Sequence, residues 1–361
     1  MAYLITAADR AAFKRCRREW DLGAHTRQDY EPREPTRRLD LERALRDALA
    51  VYYFPGMWEW NRSIVNPLVH QALDRSLNAQ RDAAEDEQTL QDVATRGHAL
   101  LDAYAAWAPT VDHFTPVRVE TDFEVNIPDP RGSDAGLVTT DGDPIRYTDR
   151  LDLLVVDADD AYWAVQHRLA DEQWADADTL LLDERTVAWC WGWELFYLGM
   201  QVAGTVYNEL RPGRERPAGA GAQAADVGHP RIRHRRMYAR ASRVPRERFR
   251  TEGTDTFRRT RIRRSQPELL RARADLAAEA IEATRPDLAV YPSPAEQVCA
   301  RCEYRPPCLA INEEGDVDAV LARSYRPRPP PALEEGRLGG GAWSMGRGAA
   351  PPRLGRRGTA R

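Results

Sequence analysis

The chain has 361 residues and a formal net charge of −4, so it is long enough to bury a large core and is not basic overall. Its positive charge is almost entirely arginine, because Lys14 is the only lysine. No run of about 18 apolar residues occurs, so no membrane span is predicted, and the first ten residues lack the basic and apolar regions of a secretory signal.

Cysteine usage and composition divide the chain into regions. Five cysteines without a secretory signal favour a reducing, cytoplasmic location, and metal ligation or burial over disulfides. Residues 326–361 are rich in Pro, Gly and Arg, so this tail is predicted to be disordered. The remaining regions are predicted to be an N-terminal helical region (1–110), an α/β core (111–290) and a cysteine segment (291–325).

Helices dominate the first third of the chain. Thr6 followed by Asp9 predicts a capped first helix that ends near Gly23. Further helices are predicted from about Leu39, over 67–79 and over 85–107. His98 lies in the last of these helices and is expected to be an ordinary, partly buried histidine and not a metal ligand.

From residue 117 the pattern changes to alternating strands. Strands are predicted over 117–127, 147–157, 163–169 and 201–210, and helices over 183–200 and 267–285. The strand, helix and strand between residues 163 and 210 form a crossover unit. Helices packed on a small mixed sheet make the predicted fold class α/β.

The segment 147–169 is predicted to be two strands joined by the acidic turn 157–160. Since strand side chains alternate between faces, Gln166 and Arg168 point one way while Val165 and His167 point the other. With Asp152 on the first strand, this is the layout of a metal-dependent nuclease centre, although Gln166 and Arg168 are the wrong residue types for that chemistry.

The cysteines suggest a second site. Cys299, Cys302 and Cys308 form the spacing C-x2-C-x5-C, and Cys16, on an exposed helix turn flanked by arginines, can supply a fourth thiolate. Cys190, in a Trp-rich helix, is predicted to be a buried packing residue. Four thiolates suit both zinc and a four-iron cluster, so the spacing does not choose between them.

These motifs together resemble the iron–sulfur subset of the PD-(D/E)XK nuclease superfamily. That subset includes RecB-family exonucleases, the AddB helicase-nuclease subunit and the CRISPR-associated single-strand exonucleases. The resemblance covers residues 2–325 and implies a restriction-endonuclease-like core. It also implies a 4Fe-4S cluster, with zinc as the alternative, held by the four cysteines and joining the N- and C-terminal segments.

When the family's site residues are matched to this sequence one by one, the metal-binding acid is present and the residues that act with it are replaced. Asp152 matches the metal-binding acid of the family. Arg46 stands where the family has a metal-binding histidine, and Gln166 and Arg168 stand where it has glutamate and lysine. In the next helix, residues 183–189 match an Asp-x-Gln-x-x-x-Tyr pattern in which Arg185 replaces the glutamine.

These replacements predict a catalytically degenerate centre. Phosphodiester hydrolysis of this kind needs Mg²⁺ or Mn²⁺ held mainly by carboxylates. Gln166 is a weaker ligand, Arg46 repels a cation, and Arg168 cannot act as a base because an arginine pKa stays above about 12. Rescue by a displaced acid stays open, the spare carboxylates being Glu120, Glu124, Asp149, Asp171 and Glu172.

The arginines predict an anion-binding cleft instead. Arg46, Arg168 and Arg185 are expected to converge there, since guanidinium groups suit phosphate oxygens. Residues 231–264 hold 14 arginines, a local excess that favours salt-dependent backbone binding. Further nucleic-acid contacts are predicted at Arg258, Arg259 and Arg261.

Three functions therefore follow from the sequence, in order of preference. The first is a degenerate nuclease-fold protein that binds DNA, predicted to be single-stranded, and carries the cluster. The second is an active RecB-like DNA exonuclease or endonuclease with an altered metal site. The third is a non-enzymatic scaffold, with a structural zinc or iron–sulfur site, that presents a surface to a protein partner.

Overall fold

A computed structural model of the protein describes residues 2–34, 39–84, 86–132, 136–170, 173–212 and 248–328. The tail was predicted to be disordered over 326–361, but its first residues belong to a short strand, so this prediction is wrong for 326–327. The tail from residue 329 onward, the arginines at 231–247 and the spare acids Asp171 and Glu172 lie outside the described residues. None of the described helices is long and apolar enough to cross a membrane.

The chain begins with a strand and two short helices: β1 (Tyr3–Thr6), α1 (Ala7–Arg15) and α2 (Arg17–Gly23). The predicted cap is confirmed, because the Thr6 side chain accepts the backbone N–H of Asp9 and Asp9 binds back to Thr6. The predicted single helix is interrupted at Cys16, whose backbone is extended (φ −160°, ψ 113°).

Three longer helices follow: α3 (Leu41–Tyr52), α4 (Arg62–Asn78) and α5 (Glu87–Trp107). Each begins after an Asp or Asn whose side chain accepts a backbone N–H of the first turn, at Asp40, Asn61 and Asp86. Because Asn61 provides this cap, α4 begins before its predicted start at Pro67, which lies inside the helix.

A seven-stranded mixed sheet forms the centre of the fold, which confirms the α/β class. Besides β1, its strands are β3 (Phe114–Asn126), β4 (Ile145–Asp157), β5 (Tyr162–Leu169), β6 (Val202–Leu210), β7 (Phe249–Gly253) and β8 (Phe257–Arg263). The strand order is β1-β4-β5-β6-β8-β7, with β3 paired antiparallel to β4. β1 and β4 are parallel, as are β5 and β6, and the other neighbours are antiparallel.

Helices cover both faces of the sheet. On one face α3, α4 and α5 share a core with β5 and β6, so the N-terminal helical region has no separate core. On the other face lie α7 (Glu184–Phe196), which joins β5 to β6, and α8 (Gln266–Ala283). The short helix α6 (Ala177–Leu181) precedes α7.

The C-terminal segment returns to the N-terminus through backbone pairing. It contains α9 (Glu296–Cys299), α10 (Arg305–Asn312) and α11 (Val317–Ser324). The strand β9 (Tyr325–Pro327) then pairs antiparallel with β2 (Tyr30–Pro32). This small sheet connects the two ends of the described chain.

Candidate functional site

Asp152 lies where the paired part of the β4–β5 hairpin ends. Pairing of the two strands runs from Leu153 opposite Val165 to Val156 opposite Tyr162, and Asp152 directly precedes it. Asp152 is only 3% exposed, and its Oδ2 accepts the backbone N–H of His167 at 2.9 Å. Burial raises the pKa of the Asp152 carboxyl to about 6, and the positive charge of Arg46 opposes this rise.

Gln166 and Arg168 share one face of β5, as the sequence predicts. Both line a cleft of about 620 Å³ together with Glu42 and Asp183. The Gln166 Oε1 is buried and has no hydrogen-bond partner in the described part of the chain. An orphaned buried carbonyl oxygen is costly, so this atom is suited to a ligand donor or a cation.

Glu120, a spare carboxylate in the sequence, approaches Asp152 from β3. Its backbone adopts a positive φ of 41°, which is unusual for glutamate. Burial raises the pKa of Glu120 to about 7, and the negative charge of Asp152 raises it further. Glu124 does not take part, because it accepts a hydrogen bond from Arg146 Nη1 at 2.6 Å.

Helix α3 brings Arg46 to the same place. The Glu42 Oε2 accepts the backbone N–H of Leu169 at 3.2 Å, which fixes α3 against the end of β5. Arg46 lies one helical turn beyond Glu42 and favours the ionised forms of both Asp152 and Glu120. Among the described residues, neither Arg46 nor Arg168 forms an ion pair.

Arg185 is held by a structural partner. Its guanidinium makes a bidentate contact with Asp149, with Nη2 to Oδ1 at 2.9 Å and Nε to Oδ2 at 3.1 Å. The same Oδ2 also accepts hydrogen bonds from Trp189 Nε1 and from the Tyr147 hydroxyl. Asp149 therefore balances the charge of Arg185, which still lies close enough to Asp152 to lower the pKa of that carboxyl.

The three β8 arginines that were predicted to contact nucleic acid lie in three different environments. Arg258 binds Glu209 Oε2 at 2.7 Å and stacks on Trp174. Arg261 is half-buried over Trp163, and burial lowers its pKa. Arg259 is 1% exposed, so the prediction that it contacts nucleic acid is wrong.

A buried polar network surrounds Arg259. Its guanidinium forms an ion pair with Asp112 and donates hydrogen bonds to the hydroxyls of Tyr53 and Tyr104 and to Asn208 Oδ1. Because an isolated buried charge is very unfavourable, this full set of partners is what keeps Arg259 in the core.

The same network reaches the candidate site through His167. The Nδ2 of Asn208 donates to His167 Nδ1 at 2.9 Å, and the ring stacks on Tyr53. Burial lowers the pKa of His167 to about 3, so the ring is neutral at neutral pH. The prediction that His167 points away from Gln166 and Arg168 is confirmed, and the ring lies in the packed interior.

The cysteines are only partly placed as predicted. Cys16 is buried and not exposed, because it lies at the inward-facing break between α1 and α2, while Cys190 is buried as predicted. Burial raises the pKa of Cys302 to about 11, and the neighbouring Cys16 and Cys308 thiols add to this rise. Within the described ranges, no group of three or more His, Cys, Asp or Glu side chains is arranged to hold a metal ion.

The candidate site thus consists of Arg46, Glu120, Asp152, Gln166 and Arg168. Sequence reasoning identified four of these as site positions and kept Glu120 only as a spare acid. Comparison with known protein families gives no match for this chain, and neither does a search of curated proteins.

Proposed function

We propose that this chain is a degenerate PD-(D/E)XK nuclease-fold protein that binds nucleic acid, single-stranded DNA above all, beside the β4–β5 hairpin. The observation that carries the proposal is the pair Arg46 and Arg168, two guanidinium groups without an ion-pair partner in the described structure. Arg168 lines a cleft of about 620 Å³, and Arg46 lies close enough to Asp152 and Glu120 to affect their pKa values. Guanidinium groups bind phosphate oxygens without a bridging metal ion.

The chemistry of the site also argues against efficient hydrolysis. Arg168 occupies the position of the lysine in the resembling nucleases and cannot remove a proton from water. The Asp152 carboxylate already accepts the His167 amide, and burial disfavours its charged form. Arg46 adds a fixed positive charge that opposes binding of a second cation nearby.

Binding is tested by titrating fluorescent single-stranded DNA with the full chain at several salt concentrations. The logarithm of affinity should fall linearly with the logarithm of salt concentration, with a slope that reports the number of phosphate contacts. Salt-independent binding, or none at low salt, would refute the proposal and favour the scaffold function.

A second function, metal-dependent hydrolysis of DNA, is favoured by one specific observation. The buried Asp152 carboxyl interacts with the charge of Glu120, which is 17% exposed, and the buried Gln166 Oε1 lacks a partner among the described residues. Carboxylate and amide oxygens are ligands for Mg²⁺ and Mn²⁺. Incubation with single- and double-stranded DNA and either ion tests this function. Degradation that is abolished in both Asp152→Ala and Glu120→Gln would establish it, and degradation unaffected by them would point to a contaminant.

We also propose that the cysteines hold a 4Fe-4S cluster, with zinc as the alternative. Four thiols are a suitable donor set for either group. Cys16 and Cys308 lie close enough to Cys302 to influence its pKa. The backbone N–H of Ser293 points at Cys16 Sγ at 3.5 Å, a contact that also suits a thiolate. When bound, the cluster would connect α1 and α2 to the C-terminal segment.

Anaerobic purification with iron and sulfide tests the cluster. We expect a visible absorbance band that is lost in Cys302→Ala and retained in Cys190→Ala, the matched control in the buried core. Stoichiometric zinc without that band would show that the cysteines hold zinc and not the cluster. If the purified protein contains neither iron nor zinc in stoichiometric amounts, both the cluster and the zinc site are refuted.

A further inference from the structure

Two histidines meet between α4 and α5, at a place separate from both sites described above. The Nδ1 atoms of His70 and His98 lie 2.6 Å apart, and the two rings stack with centroids 4.9 Å apart. Their side chains are 26% and 31% exposed, so ions from solvent can reach them.

Each ring also contacts a carboxylate of the opposite helix. His70 Nε2 lies 3.0 Å from Asp102 Oδ1, and His98 Nε2 lies 2.8 Å from Asp74 Oδ1. The sequence shows why this arrangement is reciprocal. Each histidine is followed four residues later by the aspartate, in HQALD and HALLD, so both lie on one face of their helix.

A glycine allows the two helices to come this close. A Cβ atom on Gly97, beside His98, would lie only 2.8 Å from Leu73 Cδ2 and 3.2 Å from Leu41 Cδ1. Leu73 directly precedes Asp74, so the close packing is centred on the histidine pair. The side chains are held in place by a packed interface and not only by their own hydrogen bonds.

The two Nδ1 atoms face each other at the centre of this arrangement. An ionised carboxylate only accepts hydrogen bonds, so a carboxylate beside each Nε2 favours the tautomer in which Nε2 carries the hydrogen. That tautomer leaves both Nδ1 lone pairs available to one cation.

We propose that His70 and His98 form a binding site for a borderline divalent metal ion such as Zn²⁺, which binds between the two Nδ1 atoms. Both Nδ1 atoms become ligands of the ion. At Zn–N distances of about 2.0–2.1 Å, tetrahedral geometry separates two nitrogen ligands by roughly 3.3 Å. The rings therefore need to move apart by only a few tenths of an ångström each.

The carboxylates are already placed for this role. A metal-bound histidine characteristically donates its other ring N–H to a carboxylate, which fixes the ring and increases its basicity. Asp102 and Asp74 make this contact with His70 and His98. Since the described chain offers no third protein ligand here, water or an external ligand completes the coordination. Imidazole nitrogen suits Zn²⁺, Cu²⁺ and Ni²⁺.

The test must separate these histidines from the cysteines, which also bind zinc. Full-length protein labelled with ¹⁵N at histidine is titrated with ZnCl₂, and the ring nitrogen signals are recorded by NMR. We expect the Nδ1 signals of His70 and His98 to move together to metal-bound values and to saturate at one ion per chain. Signals that stay unchanged in excess zinc would overturn the proposal.

Variants provide the controls. His70→Gln should abolish the zinc response of His98, and Asp74→Asn should weaken binding about tenfold or more. His25→Gln is the matched control, because His25 also contacts a carboxylate, Asp29, but contacts no second histidine among the described residues. Loss of the His98 response in His25→Gln, or its full retention in His70→Gln, would contradict the site. If a variant fails to fold, the ZnCl₂ titration of the unaltered chain still tests the proposed site through the Nδ1 signals.

Discussion

Arginine has opposite roles in two regions of this molecule that lie on either side of His167. On the interior side, Arg259 is enclosed by an acid, two tyrosine hydroxyls and an amide oxygen. At the candidate site, Arg46 and Arg168 have no ion-pair partner among the described residues. The same side chain thus forms part of the core in one region and remains available to an anion in the other.

The difference lies in how completely each charge is compensated. Every nitrogen of the Arg259 guanidinium has a partner, so the group is fixed and contributes to stability through its contacts. At the site the compensation is incomplete, because burial disfavours the charged forms of Asp152 and Glu120 and the positive charge of Arg46 only partly opposes this effect. Incompletely compensated charges of this kind are typical of a functional site.

Breaking the interior network should have the largest effect. Arg259→Ala removes the guanidinium and leaves Asp112 buried at 3% side-chain exposure. We expect the free energy of unfolding to fall by about 3–5 kcal/mol, because an uncompensated buried charge remains. Urea denaturation measures this loss.

The neighbouring Arg263 provides the matched control for that variant. It lies on the same strand, is exposed, and contacts the Trp163 ring at 5.4 Å. Arg263→Ala should change stability by less than about 1 kcal/mol. Equal losses in the two variants would show that Arg259 is not distinguished by its network.

The buried carboxylates predict a second effect, on the pH dependence of stability. In the folded state Asp152 and Glu120 keep their protons up to about pH 6 and 7, well above their values in an unfolded chain. The native state therefore binds more protons than the unfolded state. The stability they contribute is fully present below about pH 4 and is lost as pH rises through 6 and 7.

Asp152→Asn removes the charge and should reverse that loss. We expect the variant to exceed the parent chain in stability by about 2–3 kcal/mol at pH 8, and by much less at pH 4. Asp122→Asn, an exposed change on β3, should show no such pH dependence. Thermal unfolding at the two pH values measures the difference, and a gain of equal size at both would exclude a titration effect.

Much of this arrangement could be predicted from local sequence patterns. The alternation in β5 correctly separates Gln166 from His167, since the side-chain period of a strand holds wherever the strand is regular. The Thr6 and Asp9 cap is equally local. Both predictions depend only on residues a few positions apart.

The remainder depends on contacts between distant parts of the chain. Arg259 pairs with Asp112, 147 positions away, and no local pattern distinguishes it from the other arginines of β8. The position of Glu120 depends on an unusual backbone conformation within β3. The repeated His-x-x-x-Asp spacing was visible in the sequence, but its meaning required the antiparallel pairing of α4 with α5.

The smallest effect, and the one that isolates the candidate site, concerns the salt dependence of DNA binding. Arg46→Ala and Arg168→Ala each remove one phosphate contact in our proposal. We expect each to lower the slope of log affinity against log salt by roughly 0.7 for single strands, without loss of stability. The full salt titration on each variant measures this change.

Arg285→Ala is the control that separates a site effect from one of total charge. It removes the same charge from an exposed position where Arg285 contacts Asp287. Its slope should equal that of the parent chain, because a contact that does not reach phosphate releases no counterion. A decrease in Arg285→Ala as large as in Arg46→Ala would mean that DNA responds to overall charge, and the contrast between the compensated and uncompensated arginines would then have no bearing on binding.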